Sequence, residues 1–143
     1  MTAEHPAAFR ASLKRCLDAT PFLDDFYDIF IAASEEIREK FRHTNFERQK
    51  RILSDSLYLM AVAAEGGPDN MAWRELKTIA KRHEELGVGG TMYDVWLDCL
   101  LRTAATHDPQ FSPDIESAWR ETLAPGIAHM RAVQQAERDS RTS

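Results

Sequence analysis

Apolar residues recur at three- and four-residue spacing along nearly the whole chain, and no segment alternates strictly between hairpin turns, so the pattern predicts an all-α protein. Phe9, Leu13, Cys16 and Leu17 make the stripe of a first helix. Thr20 and Pro21 open a second, with Asp24 and Asp25 set against its positive end. Its face carries Phe22, Leu23, Phe26, Tyr27, Phe30 and Ile37 and runs down to Phe41. Asn45 is placed to cap a third helix with Phe46, Gln49, Leu53, Leu57 and Met60 on one side, stopped by Gly66, Gly67 and Pro68. A fourth helix sets Leu76, Ile79, Ala80, His83 and Leu86 on one face and ends at Gly87. Tyr93, Trp96, Leu97, Leu100, Leu101 and Ala104 define a fifth, which Asp108 and Pro109 terminate. The last helix starts at Ser112 and Pro113 and runs through Ile115, Trp119, Leu123, Ile127, Met130 and Val133, with a kink expected at Pro125 and Gly126. The polar run from about Glu137 to Ser143 is expected to fray.

A chain of 143 residues without repeats or linkers suggests one domain over residues 1–143, large enough to bury a core or enclose a cofactor. Its formal net charge of −5 argues against nucleic acid or an anionic membrane as the main partner, because both reward clustered Lys and Arg. Cys16 and Cys99 are isolated thiols without metal-site or disulfide spacing. The N-terminal MTAEHPAAFRASLKR has no apolar secretion core, and the longest apolar run, LYLMAVAA, falls short of the ~20 residues of a membrane helix. A soluble, cytoplasmic protein is expected, as a monomer or homodimer.

Four polar side chains interrupt this pattern on faces otherwise built for burial: Tyr27, Gln49, His83 and Tyr93. His83 is the most telling, since a ring facing an apolar layer must satisfy its nitrogens through a hydrogen bond or a metal. Taken singly, each is an ordinary core or edge residue. Taken together, on four helices, they read as one pocket with a metal-facing base and convergent donors.

With these residues in view, the chain resembles the globin family, in particular bacterial single-domain globins and the globin part of flavohemoglobins. The resemblance spans about Phe9 to Ala136. It rests on FYDIF, Phe41, TNFERQKRIL, IAKRHEELGV, Tyr93, and the AW pair Ala118 and Trp119. It implies a globin fold, a helical sandwich enclosing heme b, with a short or absent fourth small helix because the stretch between Phe41 and Gln49 is brief. It further implies that His83 is the proximal iron ligand and that Phe41 packs on the heme. Tyr27 and Gln49 are then placed on the distal side to stabilise a bound gas, with Leu53 one turn on. Leu53, Leu76, Val88 and Trp96 become walls of the heme pocket, and Arg82 and Lys50 candidates for its propionates. A one-residue slip puts Arg48 in place of Gln49, although helix phase with Leu53 favours Gln49.

In flavohemoglobin-like relatives a tyrosine and a glutamate back the proximal histidine. Tyr93 matches the first, while counting from Trp119 puts Gln134 at the second, and an amide withdraws the imidazole proton less strongly than a carboxylate does. The function implied is reversible binding of dioxygen, nitric oxide and carbon monoxide, with nitric oxide dioxygenation open to a chain supplied with electrons by a separate reductase. No reductase segment is expected within the chain itself. Two alternatives remain: a gas or redox sensor acting through a protein partner, and a heme-free globin-like interaction module. His43 is read as a solvated loop residue, and His5, His107 and His129 show no ligand pattern.

Overall fold

The computed structural model describes residues 4–19, 21–66 and 70–142, and among them there are helices and turns but no strand. Seven helices follow in order: α1 (Glu4–Asp18), α2 (Phe22–Ala32), α3 (Glu35–Lys40), α4 (Phe46–Glu65), α5 (Ala72–Glu85), α6 (Gly90–His107) and α7 (Pro113–Thr142). Thr20, Gly67 and Pro68, expected at helix ends, lie outside the described residues.

The second helix of the sequence reading is two helices. Ser34 adopts an extended backbone and its side chain accepts the Ile37 N–H at 3.1 Å, which starts α3 with Glu35 and Glu36 in its first turn. The apolar stripe hides this break because Phe30, Ile37 and Phe41 pack against the same core on either side of it. Between α3 and α4 the chain makes only a turn, Thr44 N–H bonding to the Phe41 carbonyl at 3.2 Å, and no small helix intervenes. Asn45 caps α4 as expected, its side-chain oxygen accepting from Arg48 N–H at 3.2 Å.

Helix α7 organises the fold, packing against α1, α4 and α5, while α2 lies on α6. Pro125 sits within it, yet the helix runs on from Pro113 to Thr142. Its neighbour Gly126 lets α7 pack closely on α4 and α5: a Cβ there would lie 2.9 Å from Met60 Cε and 3.5 Å from Leu76 Cδ1. Leu76, fully buried at this contact, is therefore part of the α4–α5–α7 core.

A buried polar network ties α1 to the far ends of α6 and α7. Trp119 Nε1 donates to Ser12 Oγ at 2.9 Å, and Ser12 donates to Asp108 Oδ2 at 2.6 Å. Arg15 grips both oxygens of Asp108, at 2.6 and 2.9 Å. Burial pushes the Asp108 carboxyl up, but the bonds from Arg15, Ser12 and Gln110 outweigh it and leave the carboxyl below its ordinary value. Ser12 and Arg15, three residues apart, share one face of α1, as the ridge facing Asp108 requires.

The polar tail is helical up to Thr142. Within it Arg138 and Arg141 bind Glu84 of α5 at 2.8 and 2.6 Å. Among the described residues no helix is long and apolar enough to cross a membrane.

Candidate functional site

The end of α5 is shaped by Gly87, the one described residue at positive φ, +74°. Its left-handed backbone lets Gly87 N–H reach the Glu84 carbonyl at 3.1 Å and Val88 N–H reach back to the His83 carbonyl at 2.9 Å. The turn thus fixes Val88 against the same turn of helix that carries His83. It also moves Leu86 off the inward face expected of it: Leu86 is the residue after the helix and is 50% exposed.

His83 Nδ1 lies 3.0 Å from the Tyr93 hydroxyl, which lies 2.5 Å from Gln134 Oε1. The direction of these bonds follows from the far end. Gln134 Nε2 sits 2.8 Å from the Val88 carbonyl, which can only accept, so the amide nitrogen faces Val88 and the amide oxygen faces Tyr93. Tyr93 must then donate to Gln134, leaving its oxygen to accept from His83 Nδ1–H. The His83 proton is therefore on Nδ1, which leaves the ring's lone pair on Nε2. Burial holds the imidazole below its ordinary pKa, which favours this neutral form. Burial also pushes the Tyr93 phenol up, so it stays a donor.

The Tyr93 ring is itself held. The Arg131 guanidinium stands over it, 5.7 Å from the centroid, and donates to the Gly90 carbonyl at 2.9 Å and to Asp94 at 2.7 Å. Helix α6 is thereby stapled to α7 at the turn where Tyr93 meets His83.

A second group forms around Tyr27. Its ring meets Phe41 edge-on at 5.7 Å and Phe46 at 5.5 Å, and Phe26 and Phe30 complete the aromatic cluster. Burial pushes the Tyr27 hydroxyl up to about 12, so it remains protonated at neutral pH. Among the described residues its one polar contact is weak, a 3.5 Å approach to the backbone carbonyl of Gln49, and not to the Gln49 side chain. The hydroxyl is thus free to turn to a better acceptor. Phe41 stacks on Phe46 at 6.0 Å and 28° and is half-buried.

The structure brings Tyr27, Phe41 and the Gln49 backbone together, and separately joins His83, Val88, Tyr93 and Gln134. Leu53 is buried on α4, while Val88 and Trp96 are half-buried apolar groups packed on the core. Gln49 is half-buried and Arg48 exposed, which favours Gln49 as the inward residue of that turn. Both cations expected for carboxylate recognition are already paired. Lys50 contacts Asp24 and Glu47, each at 2.9 Å, and Arg82 contacts Glu85 at 3.2 Å. Sequence reading missed Lys40 instead, whose ammonium donates to the Leu86 carbonyl at 3.0 Å and so bridges α3 to the turn after His83. The one hint was its place beside Phe41.

The remaining histidines and thiols have structural surroundings. His107 meets Asp25 at 2.7 Å, His129 meets the Trp73 carbonyl at 3.1 Å, and His43 is exposed. Burial pushes the Cys16 thiol up to about 12 and raises that of Cys99. Among the described residues no three His, Cys, Asp or Glu side chains converge as a metal cluster.

Comparison with known proteins agrees with this arrangement. The family model described as globin matches residues 24–130, a stretch containing Tyr27, Phe41, His83 and Tyr93. The chain is also similar to a crystal structure from Pseudomonas aeruginosa, described as that of a protein structurally highly homologous to a human hemoglobin. The two share 32% identity over 90% of this chain and 97% of the other, with a TM-score of 0.83. No curated protein matches. The matched span and the all-helical fold together show that this chain belongs to the globin family.

Proposed function

We propose that the chain is a heme globin that binds dioxygen and other diatomic gases, with His83 as the axial ligand to heme b. One observation carries this reading: the half-buried His83 imidazole, held neutral by burial, commits Nδ1 to Tyr93 and so keeps its lone pair on Nε2. Globins as a family bind heme, and the donor set here fits it, one imidazole with half-buried apolar groups at Phe41, Val88 and Trp96. His83 would hold the iron of such a heme, and the heme would supply a metal able to bind a diatomic gas.

The chain's own residues divide the remaining work. Gln134 and Tyr93 hold the His83 proton on Nδ1 and orient the ring, as outer partners of ligating histidines do. Val88, Leu53 and Trp96 exclude water from a flat apolar guest, and Phe41, fixed between Phe30 and Phe46, offers an aromatic face. Tyr27 is a protonated donor with one weak acceptor among the described residues, and in this reading it gives its hydrogen bond to a gas on the distal side. The half-buried Gln49 side chain supports it in this reading. A dry pocket makes such a bond stronger than in water, and favours polar dioxygen over carbon monoxide. Nitric oxide dioxygenation fits the same site, with electrons delivered by a separate reductase.

The test is to load the protein with heme, reduce it, and record oxygen and carbon monoxide spectra and release rates for wild type and Tyr27→Phe. A stable oxygenated form whose oxygen release quickens in the variant, with carbon monoxide release little changed, is expected. An unstable oxygenated form, or identical release rates, contradicts the gas-binding assignment of Tyr27.

A further inference from the structure

The polar chain leaving His83 continues past Gln134. The second N–H of the Gln134 amide points to Glu84 Oε1 at 3.2 Å, and that same oxygen accepts from Arg138 at 2.8 Å. The other oxygen of Glu84 accepts from Arg141 at 2.6 Å. The Glu84 side chain is only 10% exposed, whereas those of Arg138 and Arg141 are 42% and 58% exposed. The carboxylate is therefore turned inward toward the amide, with its cations on the solvent side.

This arrangement has a directional consequence. Both N–H groups of Gln134 face atoms that accept and cannot donate, the Val88 carbonyl and the Glu84 carboxylate. A half-turn of the amide would place its oxygen against both of them and its nitrogen against Tyr93. Glu84 and Val88 thus forbid the flipped amide, and with it the reversed bond direction through Tyr93. The last turns of α7, which supply Arg138 and Arg141, hold Glu84 in that place.

We propose that Glu84 is a positioning residue for His83, acting through Gln134 and Tyr93, and that Arg138 and Arg141 moderate its charge. The negative charge that a carboxylate in place of Gln134 would put directly on Tyr93 is set one link further out, where two arginines partly cancel it. The C-terminal end of α7 then tunes how strongly the imidazole donates to iron. This inference rests on the heme reading above.

The decisive experiment compares the ferric–ferrous midpoint potential and the iron–histidine stretching band of heme-loaded wild type, Glu84→Gln, and the double variant Arg138→Gln/Arg141→Gln. Thermal melts followed by circular dichroism report folding alongside. Loss of the Glu84 charge should raise the potential and lower the stretching frequency, because less negative charge backs the imidazole. Loss of the two arginines should lower the potential, because the same charge is less cancelled. Shifts of the same sign in both variants, as general loosening of the α5–α7 contact would give, overturn the proposal, and so does an unmoved potential. If Glu84→Gln fails to fold, the arginine variant decides alone by the sign of its shift. Absence of heme uptake by the wild type overturns the heme reading together with this proposal, whereas uptake with the wrong signs overturns this proposal only.

Discussion

Gln134 and Val88 are joined by one hydrogen bond of 2.8 Å, from the amide nitrogen to the backbone carbonyl, and that bond sets the polarity of everything between Gln134 and His83. Because a carbonyl cannot donate, the amide has one allowed orientation, Tyr93 has one allowed donor direction, and the His83 proton has one allowed nitrogen.

Gln134→Leu removes an almost fully buried partner from both Tyr93 and Val88. A buried hydroxyl and a carbonyl lose their bonds at once, so urea denaturation should show a loss of about 2 kcal/mol. A change below about 0.5 kcal/mol would mean that water replaces the amide and that the relay is not tightly held.

Asp108 makes acid stability predictable in sign. Its carboxyl titrates below the ordinary value of 3.8 in the folded chain, so its contribution is fully present above that value and is lost as pH falls further. Asp108→Asn should flatten this acid limb of the stability curve and lower stability at neutral pH by roughly 2–3 kcal/mol, the low side for a broken buried pair because Arg15 keeps 24% exposure. An unchanged acid limb, followed by fluorescence of Trp119 against pH, would show that the network is not ionic.

Gly87→Ala forces a side chain into left-handed backbone and brings its Cβ to 3.3 Å from Lys40 Nζ. A loss of about 1–2 kcal/mol is expected from the backbone alone. Hydrogen exchange should report it locally, as faster exchange of the Val88 amide that bonds to the His83 carbonyl. If that amide is unaffected, the turn does not anchor His83.

Tyr27→Phe should release dioxygen at least about fivefold faster, the equivalent of roughly 1 kcal/mol from one lost hydrogen bond. Stopped-flow displacement by carbon monoxide measures it. Gln49→Ala should have a smaller effect, because Tyr27 touches the Gln49 backbone and not its side chain.

Much of this was legible in the sequence. Helical spacing located the core from Phe9 to Met130, Asn45 was readable as a cap, and counting from Trp119 placed Gln134 beside Tyr93 even across Pro125, because α7 stays one helix. The break at Ser34 was not legible, since the aromatic stripe of α2 and α3 continues across it toward one shared core. Leu86 kept the spacing of its helix but lay one residue beyond its end. Contacts such as Glu84 with Arg138 and Arg141 depend on how α5 crosses α7, which periodicity within either helix does not encode. The same crossing brings the polar end of α7 against α5.

The most direct test of the central claim is a heme titration of wild type and His83→Gly, followed by absorption in the ferric and reduced states with and without added imidazole. One heme per chain and a sharp Soret band are expected for wild type, with the histidine-ligated reduced spectrum lost in His83→Gly and restored by free imidazole. A wild-type chain that takes up no stoichiometric heme, or a variant whose spectra match wild type without imidazole, would contradict the assignment of His83 as the axial ligand.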